Sequence, residues 1–180
     1  MITERIKLSG GFCVGLALML LLVPMKWLAA AAMAAAFHEL CHYLAIRACR
    51  ADCDGVRFYA FAAHLPLPEM SRGREVLCAL AGPLGGLCLL LFARWLPRLA
   101  LCAAMQSAYN LLPVYPLDGG RALQSGLLLL LSPPKAAAVC RVIEISAKSI
   151  LFLLGMYGCF VLKLGIFPLL LALLLLIRVK

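Results

Sequence analysis

Charged residues are scarce in this sequence. They make up 14% of its 180 residues, whereas hydrophobic residues make up 65%. A soluble domain of this length cannot hide so much apolar surface, so the scarcity of charge excludes an ordinary soluble protein. We therefore expect an integral membrane protein. A single domain, residues 1–180, is predicted because no stretch is left for a separate soluble module.

Acidic residues are the scarcer kind of charge. Eight Asp and Glu stand against 17 Lys and Arg, which gives a net charge of +9. This excess suggests nucleic-acid binding, yet the basic residues are spread through short loops between apolar stretches. The positive-inside rule of membrane proteins explains that distribution better than a polyanion site does. The expected partner is therefore the lipid bilayer, with no nucleic acid.

The cysteines lack the pattern of a disulfide framework or a zinc knuckle. Their number, nine, is odd, and most of them lie within apolar runs. Buried cysteine behaves as a small hydrophobic residue. Cys49 and Cys53 flank a polar loop, but the second pair that a zinc knuckle needs is missing. We therefore infer no disulfide from the sequence.

Long apolar runs are what the sequence does contain. A helix of about 20 residues crosses a bilayer core of roughly 30 Å. The runs predict an all-α polytopic membrane protein with about six transmembrane helices, at 10–25, 27–48, 76–95, 98–112, 137–162 and 166–177. A loop is expected at 132–135. After the second helix, apolar residues alternate weakly with period two at 56–67, which predicts a short strand-like or re-entrant segment.

The basic residues also predict an orientation. With six spans, one side of the membrane collects Arg5, Lys7, Arg47, Arg50, Arg57, Arg72, Arg74, Lys135, Arg178 and Lys180. The other side collects only Lys26, Arg94, Arg98 and Lys163. The richer side is expected to be cytoplasmic. The sequence therefore predicts a multi-pass cell membrane protein with both termini in the cytoplasm.

Histidine is rare too, and two of the three histidines form a motif, His38-Glu39-Leu40-Cys41-His42. Residues four apart lie about 40° from each other around a helix, so both imidazoles leave the same face and can bind one Zn²⁺. Glu39 then stands beside the water that the metal activates, where it can act as general base. Chance predicts such a motif about once in a thousand chains of this composition. Its apolar flanks place it inside a membrane.

A second informative stretch covers residues 110–121, where two prolines and an Asp-Gly pair interrupt an apolar run. At membrane depth, broken backbone is tolerated only in a protein interior or a cavity, and an acid there indicates function. Catalytic zinc takes three protein ligands, so Asp118 is the predicted third ligand beside His38 and His42, for one zinc per chain. Asn110 is predicted to hydrogen-bond the substrate backbone or oxyanion. A plain turn at the membrane surface is the alternative interpretation.

These motifs resemble those of a known family. The His-Glu-x-x-His motif at 38–42, Ala-Leu-Ala-Gly-Pro-Leu at 79–84 and the stretch 110–120 resemble, in this order, the motifs of site-2 intramembrane metalloproteases. The likeness is closest to the stage IV sporulation protein FB branch, whose Asn-x-x-Pro-x-x-Pro-Leu-Asp-Gly-Gly pattern is matched. Two features depart from the family. Gly86 stands where many relatives carry Asn, and the 180 residues include neither a C-terminal nucleotide-sensing domain nor a PDZ domain.

The resemblance implies His38, His42 and Asp118 as zinc ligands and Glu39 as the catalytic base. It implies hydrolysis of a peptide bond in a membrane-associated protein substrate near the cytoplasmic face. In the sporulation branch, that substrate is a pro-sigma factor and inhibitory membrane proteins are partners. The segment 56–67 is then a candidate edge for holding an extended substrate.

Three other hypotheses remain open. The same residues fit a metal-binding transporter or channel, although an ion pathway does not need a base at Glu39. A site-2 protease in general membrane signalling would carry the same motifs. A catalytically dead scaffold is the third alternative, although all four positions expected for the chemistry are filled.

Overall fold

The computed structural model describes residues 6–8, 24–49, 56–59, 62–64 and 70–163. Most of them belong to five α-helices, α1 (Met25–Ala48), α2 (Arg72–Cys88), α3 (Pro97–Asn110), α4 (Asp118–Leu130) and α5 (Pro133–Phe160). A 3-10 turn, Leu89–Phe92, prolongs α2. The remaining elements are three short strands, β1 (Ile6–Leu8), β2 (Val56–Tyr59) and β3 (Ala62–His64).

The helical architecture agrees with the sequence prediction. The predicted spans at 27–48, 76–95, 98–112 and 137–162 correspond to α1, α2 with its 3-10 turn, α3 and α5. The first and last predicted spans, 10–25 and 166–177, lie outside the described residues. The number of six transmembrane helices therefore stays a prediction.

Two details of the predicted helices were wrong. The structure has a helix, α4, where the Asp-Gly-Gly sequence suggested a turn followed by an apolar run. It also starts α5 at Pro133, inside the loop expected at 132–135. Proline is tolerated in the first turn of a helix because the N–H that it lacks would have no partner there. In both helices, the glycines or prolines that suggested a break lie in the first turn, where they do not interrupt the helix.

The strands form one sheet in the order β1-β2-β3. The parallel pair β1–β2 aligns Ile6 with Val56, and the antiparallel pair β2–β3 aligns Arg57 with His64. The β2–β3 hairpin lies in the stretch where a strand-like segment was expected. Strand β1 was not predicted, because three residues are too few to show a period-two pattern.

Small residues hold the helices together. The buried positions include Ala30 and Ala34 on α1, Ala79 on α2, and Ala100 and Ala103 on α3. Small side chains let helix backbones approach closely, and tight van der Waals packing of this kind is typical of helices that associate in a membrane. The core between the helices therefore consists mainly of small side chains, and most large apolar side chains lie on the outer surface.

The outer surface is apolar. Helix α1 and the stretch Arg72–Phe92 are long and apolar enough to cross a bilayer. Large side chains point outward along the helices, with Leu91 78% and Leu130 83% exposed. Exposing such a surface to water costs roughly 25 cal/mol for each Å² of apolar area, whereas lipid covers it without that cost. These features support a membrane protein.

Candidate metal centre

Helix α1 carries the two motif histidines on one buried face. Its 24 residues contain seven alanines before Phe37 and no proline or glycine, so the helix is regular and the four-residue spacing is kept. The side chains of His38 and His42 are both buried, with 3% and 6% of each residue exposed. Their ring centroids are 4.7 Å apart.

Asp118, the first residue of α4, meets both histidines at the centre. The chain leaves α3 at Asn110, runs through the proline-containing segment 111–117 and enters α4. Asp118 Oδ2 lies 3.1 Å from His38 Nε2 and 3.2 Å from His42 Nε2. The two Nε2 atoms are themselves 3.1 Å apart. The three atoms form a nearly equilateral triangle.

The charge distribution of this triangle favours a cation. His42 Nδ1 lies 2.7 Å from the carbonyl oxygen of Cys78, to which it must donate its hydrogen. In the neutral ring, Nε2 then carries a lone pair, and it faces a carboxylate oxygen and a second imidazole nitrogen. Electron-rich atoms at such separations repel each other unless positive charge lies between them.

The donor set fits zinc. Imidazole nitrogen and carboxylate oxygen bind zinc at about 2.0–2.2 Å, so two ligands of a tetrahedral ion lie about 3.3–3.6 Å apart. The observed separations of 3.1–3.2 Å need to widen by only a few tenths of an ångström. Among the residues that the structure describes, His38, His42 and Asp118 are the group of three whose ligand atoms converge closely enough for a metal. Three protein ligands is the number that catalytic zinc sites use.

Helix α2 positions His42. It supplies the Cys78 carbonyl that accepts the Nδ1 hydrogen bond, which sets the tautomer and the orientation of the ring. One turn later, a Cβ at Gly82 would collide with the His42 ring. Neither role was predicted from the sequence. The small residues at 81–86 are typical of close helix packing, but they do not indicate which side chain packs there.

The structure also brings Asn110 to the centre. Its Nδ2 lies 3.4 Å from His38 Nε2, at the last turn of α3. Glu39 follows His38 on α1 and is half-buried. Among the described residues, none forms a hydrogen bond or ion pair with its carboxylate. A carboxylate in that state is available to a water molecule or to a substrate.

Comparison with known proteins adds a structural neighbour. No protein-family model matches the chain, and no curated protein matches it. In fold, the chain is similar to a solved structure, "Site-2 Protease from Methanocaldococcus jannaschii", with a TM-score of 0.67 and 21% sequence identity. The match covers 94% of this chain and 86% of that one. The two chains share a fold. At 21% identity, the likeness establishes the site-2 protease fold alone.

Proposed function

We propose that this chain is an intramembrane zinc metalloprotease that hydrolyses a peptide bond of a membrane-associated protein. The observation that carries the proposal is the convergence of Asp118 with His38 and His42, which lie on a helix apolar enough to cross a bilayer. Beside them stands Glu39, whose carboxylate has no hydrogen-bond or ion-pair partner among the described residues. The site-2 protease fold supports it. The alternative of an ion site in a transporter accounts for the three ligands but not for Glu39.

His38, His42 and Asp118 would hold one zinc ion per chain. When bound, zinc supplies positive charge that activates a water molecule and polarises the scissile carbonyl. The protein residues have to keep the three donor atoms in place. The hydrogen bond from His42 to the Cys78 carbonyl and the burial of both imidazoles serve this purpose.

Glu39 is the proposed general base. It accepts a proton from the attacking water and later donates it to the amine that leaves. Its position next to His38 on α1 puts the carboxyl beside the ligand triangle, and its half-buried state leaves a path for water. No described residue competes for the carboxylate by an ion pair.

Asn110 is the proposed electrostatic partner of the substrate. Its Nδ2 group, close to His38, can donate a hydrogen bond to the substrate backbone or to the oxygen that becomes negative during hydrolysis. Removing one such donor costs about 10²–10³ in kcat in a known protease. A role confined to substrate binding would raise KM instead.

The small sheet is the proposed holding site for the substrate. Peptide bonds of a helical substrate are occupied by internal hydrogen bonds, so the segment to be cut must first become extended. Strand β3 is at one edge of the sheet in the described part of the chain. An extended segment can pair with such an edge through its main chain.

The finer identity of the substrate rests on the sequence motifs. The pattern at 110–120 resembles the sporulation branch, which supports a pro-sigma factor cut near the cytoplasmic face, with inhibitory membrane proteins as partners. A site-2 protease in general membrane signalling is the alternative within the same chemistry. Co-expression with a membrane-associated pro-sigma factor would separate the two, because a general signalling protease would leave that substrate intact.

The deciding experiment compares Glu39→Gln with the original chain in proteoliposomes. We expect Glu39→Gln to retain zinc, measured by elemental mass spectrometry, and to lose cleavage of a labelled single-pass model substrate by about 10²–10⁴-fold. Glu75→Gln, in the first turn of α2 and away from the three ligands, is the matched control and should cleave normally. Full cleavage by Glu39→Gln would refute the protease mechanism. Zinc flux through the original chain without cleavage would favour a transporter.

A further inference from the structure

Two thiols lie side by side near the metal centre without belonging to it. Cys49 follows the last residue of α1, and Cys78 lies in the second turn of α2. Their Sγ atoms are 3.8 Å apart. Cys78 is fully buried and packs with Ile46, whereas Cys49 is half-buried at the rim of the same cluster. The packing of α1 on α2 keeps the two sulfurs together.

The separation of the sulfurs suits the formation of a covalent bond. A disulfide has an S–S length of about 2.05 Å, so the two atoms must approach by about 1.8 Å. Rotation about one cysteine χ1 angle moves its sulfur by more than that distance. Accessibility is unequal, because Cys49 is half-buried and Cys78 is not exposed at all. An oxidant would therefore meet Cys49 first.

The pair is connected to the metal centre through the backbone of Cys78. The carbonyl oxygen of this residue accepts the hydrogen bond from His42 Nδ1, at 2.7 Å. Its sulfur contacts Cys49. Disulfide geometry also restricts the separation of the two Cα atoms, so closure of the bond constrains the Cys78 backbone and with it the carbonyl that orients His42. Changes in such supporting groups typically alter metal affinity by 10–100-fold.

We propose that Cys49 and Cys78 form a reversible disulfide that weakens zinc binding at the neighbouring centre. The oxidant is a low-molecular-weight disulfide such as oxidised glutathione. The Cys49 thiolate attacks one of its sulfurs, which forms a mixed disulfide and releases one glutathione thiol. The Cys78 thiolate then attacks the Cys49 sulfur, which forms the internal disulfide and releases the second glutathione. Two protein thiols are oxidised, and one glutathione disulfide is reduced.

This inference rests on the zinc site of the proposed function, but not on proteolysis. The disulfide can be detected whether or not the chain cleaves a substrate, and zinc affinity can be measured without one. Failure of the protease mechanism would therefore leave the two measurements unaffected. If the reduced chain did not bind zinc, the proposed function would fail, whatever the state of the thiols.

The test uses the full chain in detergent micelles, incubated with oxidised or reduced glutathione and then desalted. Cys78 and Cys88 share the tryptic peptide 75–94, so mapping is carried out in a Cys88→Ala background. We expect mass spectrometry to find the peptide containing Cys49 linked to the peptide containing Cys78. Competition with a chromogenic chelator should show a zinc affinity at least about 10-fold lower after oxidation, restored by a dithiol.

Two variants separate this effect from general oxidation. Cys49→Ala removes one sulfur and leaves Cys78 with its carbonyl unchanged. It should bind zinc as the reduced chain does and become insensitive to the oxidant. Cys88→Ala, on the exposed side of α2, should remain sensitive. Absence of the linked peptide in the folded protein would overturn the proposal. So would a linked protein that binds zinc as tightly as the reduced one.

Discussion

At the scale of single residues, His42 has the most constrained surroundings in the centre. Its Nδ1 atom is held by the Cys78 carbonyl, and its Nε2 atom meets both His38 and Asp118. The ring also occupies space that a side chain at Gly82 would need. A small change on α2 should therefore alter zinc affinity by displacing this one imidazole.

Gly82→Ala is the sharpest test of that dependence. The added Cβ would collide with the His42 ring, so the ring must move away from the Cys78 carbonyl and from the other two donor atoms. We expect zinc affinity to fall by about 10–100-fold, as measured by chelator competition. Gly73→Ala is the matched control on the same helix, because a Cβ there has nothing within 4 Å. Equal zinc affinity in the two variants would contradict the role assigned to Gly82.

At the scale of elements, the contact between α1 and α2 determines the geometry of the centre. The two helices meet through glycines on α2, with Cys41 seated against Gly85 and His42 against Gly82. Cys41 is thus a packing residue, and the structure gives it no position in the triangle of donor atoms. The same close approach brings Cys49 to Cys78 at the end of the interface.

Gly85→Ala should destabilise this interface. Its Cβ would collide with Cys41, and crowding a packed site by a methyl group typically costs about 1–3 kcal/mol. We expect a lower midpoint of thermal unfolding in detergent. Adding Cys41→Ala removes the colliding sulfur and should recover part of the loss. In a double-mutant cycle, strictly additive effects of the two substitutions would show that they do not share a contact.

The proposed substrate site, the sheet that contains the β2–β3 hairpin, can also be tested at the scale of elements. Phe58 is paired with Leu8 on one side and with Ala63 on the other. Phe58→Pro removes its backbone N–H and should disrupt the central strand. We expect cleavage to fall while the zinc content stays unchanged. Phe58→Ala, which keeps the N–H, is the control for loss of the side chain. Unchanged cleavage by the proline variant would exclude the sheet from substrate binding.

At the scale of the whole molecule, two contacts place basic residues of the described helices at opposite ends of α1. The Arg98 guanidinium at the start of α3 lies 5.9 Å from the centre of the Trp27 ring, at the start of α1. The contact between Cys49 and Cys78 puts the end of α1, with Arg47, beside the start of α2. Arg98 and Arg47 thus lie at opposite ends of α1, and the orientation of the chain in the membrane stays a prediction.

The predicted orientation can be tested with reporter fusions in bacterial cells. We expect green fluorescent protein fused after Lys180 to fluoresce and alkaline phosphatase at the same position to be inactive, because the richer side of positive charge stays in the cytoplasm. Fusions after Leu96, between α2 and α3, should give the opposite pattern. Active phosphatase after Lys180 would reverse the predicted topology.

Part of the centre could be predicted from sequence because it is local. His38 and His42 share a face of α1 through the period of the helix itself, and the residues that make this helix regular are their immediate neighbours. The membrane character of the chain and the bias of its basic residues are likewise properties of composition and order. They require no knowledge of which helix packs on which.

The tertiary structure decided the contacts between distant positions. Asp118 was predicted as a ligand from its motif, but helix packing makes its contact with His42 across 76 positions, and that of the Cys78 carbonyl across 36. A backbone carbonyl has no sequence signature. The sequence also does not show that the His42 ring lies where a Cβ at Gly82 would be. Strand β1 exists because β2, some fifty positions later, pairs with it. The periodicity of a helix can be recognised from neighbouring residues in the sequence. These contacts instead depend on tertiary packing, which brings distant positions within hydrogen-bonding distance.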